Sequence, residues 1–340
     1  MLDIDIQKLI KYYIQGQSNL INIIAKKTAK GNVTQYHKDL LKQVNQEVDK
    51  LNTYAKKWTK DYVPKTYNNT IGELVSNPQI DVSFSGLDNR AIQILVTNTT
   101  DSLITANNFV GRQINDTIRQ NSLDVITQTQ LTGGTIKDAQ KALYSKLVSE
   151  GFSSIKDKRG RNMNLDSYAA TVARSTTAET QNTATITRLT ENDYDLVQIT
   201  SHAGSCALCA GFQDRIYSIS GKDTRFPPLD DAMGGGYANI HPNCRHRVTP
   251  YIERFNNVAE DIKKSNKPYT DNRSQEQKDK YDNKQQQNRK QNTDRRQWEK
   301  MKLSGIDNVP KTLSAFRSMK KAKSEKYQSI IKKYKLITLA

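Results

Sequence analysis

All three cysteines and two of the four histidines of this chain fall between Cys206 and His246, as Cys206-x-x-Cys209 and His241-x-x-Cys244-x-His246. This pattern constrains the fold more than any other, because it asks two loops far apart in the chain to meet. A C-x-x-C turn points two sulfurs at one ion, and a second pair from a distant loop completes a tetrahedron, the arrangement structural zinc prefers. Thiolates bind only when deprotonated, and the charge of the metal drives that deprotonation. The first-choice ligand set is Cys206, Cys209, His241 and Cys244, with His246 or His202 able to replace one member. Two other readings stand beside it. The C-x-x-C can be a redox pair, although the sequence shows neither a βαβ pattern around it nor a helix beginning there. The cysteines can also be ordinary small buried residues. His37 and His202, taken singly, read as structural or solvated.

Catalytic use of such a cluster has recognisable signatures, and they are missing. Zinc deaminases need H-x-E followed by P-C-x-x-C, whereas here the C-x-x-C comes first and no H-x-E occurs. The zincin pattern H-E-x-x-H is also absent. A saturated Cys3His shell leaves no open position for water, so a structural metal is expected. Asp230-Asp231 beside Gly234-Gly235-Gly236 reads as a surface loop, and no catalytic residue is assigned.

The remaining sequence reads as α+β and mainly helical. Residues 1–75 are helical and polar, with apolar pairs such as Leu9–Ile10 and Ile23–Ile24 at helix-like spacing. Helices this polar are expected to need a partner surface to hold them. Leu103, Ala106, Val110, Ile114 and Ile118 form one apolar stripe facing a core. Thr132-Gly133-Gly134 breaks the pattern, and Thr135 with Asp138 starts a helix ending at Gly151 and burying Leu143, Leu147 and Val148. A hairpin turning at Arg159-Gly160 follows, then a helix from about Asp166 to Glu191 with Ala169, Val172 and Ala173 inward. Short strands are expected at Leu196–Thr200, Arg215–Ile219 and Arg247–Tyr251.

Charge divides the chain. From Asn256 to Ala340 there are 22 Lys and Arg against 10 Asp and Glu, a net +12 of the total +17. The run from Ser274 to Arg296 is too polar to build a core, and Tyr327, Ile330, Ile331 and Tyr334 restore a narrow amphipathic helix near the end. The expected organisation is a helical segment at 1–80, a core bearing the Cys/His cluster at 81–255, and a basic tail, helical or disordered, at 256–340. Such a tail suits a polyanion: Lys and Arg neutralise phosphates without reading sequence. Tyr281, Trp298, Phe316 and Tyr327, interleaved with the charges, are expected to be able to stack on bases. No stretch approaches the length of a membrane span, and no secretory leader is seen. An odd cysteine count argues against a disulfide framework, so the chain is expected to be made and kept reduced in a cytoplasm.

The same blocks carry a family likeness. Ser201-His202-Ala203-Gly204, then FQDRIYSISG from Phe212 to Gly221, then HPNCRH from His241 to His246 with Pro250-Tyr251 behind, resemble the minor capsid protein family of tailed phages infecting Gram-positive bacteria. The stretch from Lys156 to Arg188 is similar to the usual lead-in of that family. The likeness is best over about residues 130–255. It implies a portal-associated head protein in few copies per virion, placed in the head interior near the portal, with roles in assembly and DNA delivery. It also implies the portal protein, the major capsid protein and packaged DNA as partners. Many relatives carry histidine where Cys209 stands and no cysteine at Cys206. The resemblance therefore implies a second set, His202, Cys209, Cys244 and His246, and a third reading in which the cluster is a hydrogen-bonded staple without metal. The alternative function is a zinc-supported nuclease or toxin-like enzyme delivered with phage DNA. Few histidines, no paired acid/base motif and a closed cluster weigh against it.

Overall fold

A computed structural model of the chain describes residues 4–24, 33–82, 88–132, 154–156, 162–234, 239–303 and 306–339. It is α+β and mainly helical. Three helices come first: α1 (Ile4–Ile24), α2 (Val33–Val75) and α3 (Asp88–Thr132). A short pair of strands, β1 (Ser154–Lys156) and β2 (Asn162–Asn164), leads into α4 (Leu165–Glu191). Then come β3 (Leu196–Ile199), the single turn α5 (Ala207–Ala210), β4 (Ile216–Ser218), α6 (Asp230–Met233) and β5 (Val248–Pro250). The tail holds α7 (Val258–Ser265), α8 (Gln275–Leu303), α9 (Leu313–Lys321) and α10 (Glu325–Leu339). The predicted helix from Thr135 to Gly151 and the turn at Arg159-Gly160 lie outside the described residues. The strands flanking that turn do pair, with Ser154 opposite Asn164.

The chain forms two compact units. The first comprises residues 1–6, 56–102 and 170–285, and the second 7–55, 103–169 and 286–340. In the first, β3 is the centre of an antiparallel sheet ordered β4-β3-β5. Side chains alternate across a pleated strand, which sorts β3 between two clusters. Val197 and Ile199 join Tyr217, Val248, Tyr67, Ile71 and Leu189 in the main core. Leu196 joins Ile216, Phe226 and Tyr251 on the opposite face, closed by Val258 and Ile262 of α7. Pro250, which has no N–H for a ladder, sits on the edge strand β5, where its loss is tolerated.

Under this sheet lies a buried ion pair. Arg188 of α4 meets Asp88 of α3, each 1% exposed, and its other arm donates to Glu191 at 2.9 Å. Tyr67 completes the group by donating its hydroxyl to Asp88 Oδ1 at 2.8 Å. A charge taken out of water persists only when paired and hydrogen-bonded.

In the second unit, part of α2 runs antiparallel to part of α3. Asn115 Nδ2 donates to Asn45 Oδ1 at 2.7 Å and Asn52 Nδ2 to Asn108 Oδ1 at 2.9 Å, so partners run in opposite directions along the two helices. Between them Gly111 faces Val48; a Cβ there would lie 2.9 Å from a Val48 methyl, so the missing side chain allows the close crossing. The predicted stripe from Leu103 to Ile118 is buried as expected, at 0–4% exposure. The N-terminal helix does not wait for an external surface. Its stripe of Leu9, Tyr13, Leu20, Ile21 and Ile24 is fully buried within the chain.

The tail is ordered as helices in its described residues, and it corrects one expectation. Trp298 and Phe316 are buried, with Trp298 Nε1 donating to the Pro310 carbonyl at 2.9 Å and Phe316 edge-on to Tyr327. Tyr281 lies under the Arg273 guanidinium. These rings close a core or cover a cation, so they do not form an open stacking surface for bases. What α8 exposes is charge. Among the described residues, no helix is long and apolar enough to cross a membrane.

Candidate metal centre

Two loops of the first unit converge as the cysteine spacing requires. The first loop ends in α5, whose single turn begins at Cys206. Cys206 is its N-cap and Cys206 Sγ accepts from Cys209 N–H at 3.5 Å. The expectation that no helix begins at the C-x-x-C is therefore corrected, because the thiol itself caps the turn. The sheet behind it is antiparallel, unlike the parallel βαβ setting of the common redox pairs. The second loop turns at His241, with Cys244 N–H donating to the His241 carbonyl at 3.1 Å and Asn243 at a left-handed φ of 68°.

The five candidate donors form a chain of close contacts. Cys206 Sγ lies 3.3 Å and Cys209 Sγ 3.1 Å from His241 Nε2. Cys209 Sγ lies 3.7 Å from Cys244 Sγ, which lies 3.4 Å from His246 Nδ1. Ligand atoms around a tetrahedral zinc, with bonds of ~2.0–2.3 Å, sit roughly 3.3–3.8 Å apart. Three of the four observed spacings fall in that range, and Cys209 Sγ–His241 Nε2 at 3.1 Å is slightly tighter. No disulfide competes, since all three cysteines are free. Within 4.8 Å the donors group as two triads, Cys206–Cys209–His241 and Cys209–Cys244–His246, which share Cys209. These groups can hold a metal ion.

Both histidines are oriented as metal ligands are. His241 Nδ1 lies 2.7 Å from the Pro242 carbonyl, which can only accept, so Nδ1 carries the proton and Nε2 presents its lone pair to the sulfurs. His246 Nε2 lies 3.1 Å from Gln213 Oε1, an acceptor, which leaves Nδ1 free to face Cys244. A ligating histidine characteristically donates its other ring N–H in this way. His202 stacks on His246 at 4.3 Å, and its Nδ1 accepts from Gly204 N–H at 3.2 Å. It lies beside the two triads and in neither of them, so of the set the resemblance implies, Cys209, Cys244 and His246 are brought together.

Charge follows the same logic. Burial opposes ionisation of Cys206, but hydrogen bonds from Cys209 and the nearby His241 outweigh it, and the thiol falls below its ordinary range. Cys209 and Cys244 lie within hydrogen-bond reach of each other. Cys209 is pushed up by its bond to Cys244 and by burial, and Cys244 is drawn down by that bond, with His246 helping against burial. His202 is depressed to about 4 by burial first and then by the nearby charges of His246, Arg245 and Lys284.

The start of the tail buttresses the site. Arg273 Nη1 donates to the Ser205 carbonyl, next to Cys206, at 3.0 Å. Arg215 fans onto the carbonyls of Ser265, Lys267 and Pro268 and lies over the Tyr269 ring. Tyr269 packs on Phe212 at 4.6 Å, and its backbone would sit 3.1 Å from a Cβ on Gly211. Sequence reasoning named neither Gln213 nor Arg273. Gln213 lies inside the FQDR block that carried the family likeness, and its partner His246 was already a candidate. Arg273 offered no local signal.

The family model described as "Phage minor capsid protein 2" matches residues 1–334. A "Structural protein" of Lactococcus phage LL-H is 25% identical over 228 residues, taking in 64% of this chain and 54% of that relative. The chain thus spans about half the length of the curated relative it matches. No solved structure matches.

Proposed function

The chain belongs to the phage minor capsid protein 2 family, and from that premise we propose that it is a non-enzymatic structural protein of the virion, seated near the portal in the head interior after assembly in the host cytoplasm. There it aids head assembly and DNA packaging or ejection, with the portal protein, the major capsid protein and packaged DNA as partners. The observation that carries this reading is the family match over almost the whole chain, together with a relative whose name is structural. Charge supports the DNA contact: residues 256–340 carry a net +12, while Trp298, Met301, Leu313, Phe316 and Ile330 are buried. In this reading exposed faces of residues 1–80 dock on the portal, residues 81–255 carry the Cys/His cluster and the exposed charge of residues 256–340 faces DNA.

The Cys/His cluster in this reading holds one structural zinc. Cys206, Cys209, His241 and Cys244 are the first-choice ligands, with His246 as the alternative fourth donor. The ion would supply a cross-link that fixes two loops, and the protein residues supply its orientation. A thiolate-rich donor set drawn from two loops supports a structural cross-link.

The test is co-expression of the full chain with the portal protein of the same phage. Because α1 and α2 bury their apolar stripes internally, docking uses their exposed polar faces, and deletion would damage the fold. The chain is expected to co-purify with portal assemblies, and the triple charge reversal Lys11→Glu, Lys42→Glu, Lys56→Glu to weaken retention at unchanged melting temperature. Equal retention would move docking elsewhere, and no retention of the wild type on portal or capsid would overturn the portal-proximal reading.

A further inference from the structure

The cluster brings three free thiols together around Cys209, and this permits chemistry that needs no ion. Cys209 Sγ and Cys244 Sγ, supplied by the two different loops, meet at 3.7 Å, and neither is in a disulfide. About 1.7 Å of closure separates that contact from an S–S bond of ~2.05 Å. Cys206 approaches Cys209 from its own turn. Its Sγ accepts from Cys209 N–H at 3.5 Å, and the Cys206 and Cys209 sulfurs lie within 4.8 Å of each other and of His241 Nε2.

The three thiols differ in access. Cys209 and Cys244 are each 2% exposed, whereas Cys206 is half-buried and is followed by the exposed Ala207 and Leu208. Oxidation follows exposure, so a small oxidant reaches Cys206 first. The lasting product lies deeper. A Cys206–Cys209 bond would draw the Cys206 sulfur away from the N–H that it caps, and its Cys206 side stays open to exchange with solution thiols. A Cys209–Cys244 bond keeps that cap, is buried, and joins residues 35 apart in the chain.

We propose that Cys209 and Cys244 are an oxidisable pair, fed through Cys206, whose disulfide joins the two loops when the site holds no metal. The oxidant is a peroxide. Cys206 Sγ attacks one peroxide oxygen: an S–O bond forms, the O–O bond breaks and the sulfur gives up two electrons. His241 Nε2, 3.3 Å away, takes the thiol proton and returns it to the departing hydroxide as water. Cys209 Sγ, 3.1 Å from the same nitrogen, loses its proton there and attacks the sulfenic sulfur. An S–S bond forms, the S–O bond breaks, and the hydroxide leaves with that proton as a second water. Cys244 Sγ then attacks Cys209 Sγ and expels Cys206, to which its proton passes. The balance is two thiols and one hydrogen peroxide to one disulfide and two waters. The inference goes beyond the zinc staple and stands without it, because it uses only the three sulfurs and His241.

Full-length protein, reduced and then freed of metal with EDTA, is treated with one equivalent of hydrogen peroxide. Remaining thiols are blocked with N-ethylmaleimide, and the unreduced digest is mapped by mass spectrometry. Trypsin leaves Cys206 and Cys209 on the peptide ending at Arg215 and Cys244 on the one ending at Arg245. The two peptides are expected joined, with the maleimide on Cys206. The same link should form several-fold more slowly in Cys206→Ser, whose serine still caps the turn. Oxidised wild type should melt above the reduced, metal-free protein, because the new bond constrains the unfolded chain. A link between Cys206 and Cys209 as the end product overturns the pair. So does oxidation that stops at a sulfinic acid on Cys206 with both other thiols labelled. Linkage at the wild-type rate in Cys206→Ser overturns entry through that thiol. Absence of zinc from the purified protein would remove the staple reading and leave each of these outcomes unchanged.

Discussion

Asp88→Ala tests whether the Arg188 ion pair is as dry as its 1% exposure implies. The substitution strands a buried guanidinium, and removing one partner of such a pair costs about 3–5 kcal/mol. Glu191 keeps its hold on Nη1 at 2.9 Å and is partly solvated, which places the ionic loss near the lower end of that range. The Tyr67 hydroxyl also loses its acceptor, a further ~1 kcal/mol. The expected destabilisation is therefore about 4 kcal/mol. The two tryptophans make the assay local, because Trp58 lies in the same unit as the pair and Trp298 in the other. In a Trp298→Phe background, urea unfolding followed by Trp58 fluorescence reports the unit that holds Arg188. Asp88→Leu combined with Arg188→Met is expected to recover most of the loss, since a buried pair replaced by apolar residues is often near neutral. A loss below about 1 kcal/mol for Asp88→Ala would mean that water reaches the guanidinium, and the reasoning from burial would be wrong.

Two further expectations follow from named groups. Cys209 belongs to both triads, so if the proposed zinc is held there, Cys209→Ser should abolish the zinc content measured by mass spectrometry, while Cys206→Ser leaves Cys209, Cys244 and His246 in place and should retain zinc at weaker affinity; equal retention by both variants would contradict the shared-donor geometry. Glu299 is raised to about 7 by burial, against the lowering effect of Arg295 and Arg296 and with a smaller push from Asp166. The folded state therefore holds a proton that the unfolded chain releases near pH ~4, so stability falls as pH rises from about 4 to 7 and is flat above. Glu299→Gln should remove a penalty that grows to about 3 kcal/mol by pH ~8, and a pH-independent difference between the two proteins would refute the assignment.

The sequence was legible where a local period decides the structure. Ala169 and Ala173 of α4, the stripe from Leu103 to Ile118 and the three strands of the sheet all announced themselves through spacing, and all three strands appear within two residues of their expected bounds. Long-range pairing was not legible. Nothing local marks Asn45 as the partner of Asn115, or Arg188 as that of Asp88, because each is a polar residue whose burial depends on a helix far along the chain. The helix α8 was hidden for the opposite reason: its composition carries no apolar stripe over most of its length, and it is anchored near its end by Trp298 and Met301. In the Cys/His cluster, spacing brought out the five donors, but only geometry could place Cys209 between two triads and assign the protons of His241 and His246 from the Pro242 carbonyl and Gln213.

The central claim, a structural place in the virion, is tested most directly by quantitative mass spectrometry of gradient-purified phage particles, with and without protease treatment before opening. The account predicts that this chain is present in a few copies per particle and resists protease until the head is opened. Its absence from purified particles, with recovery only from the soluble lysate, would contradict the account.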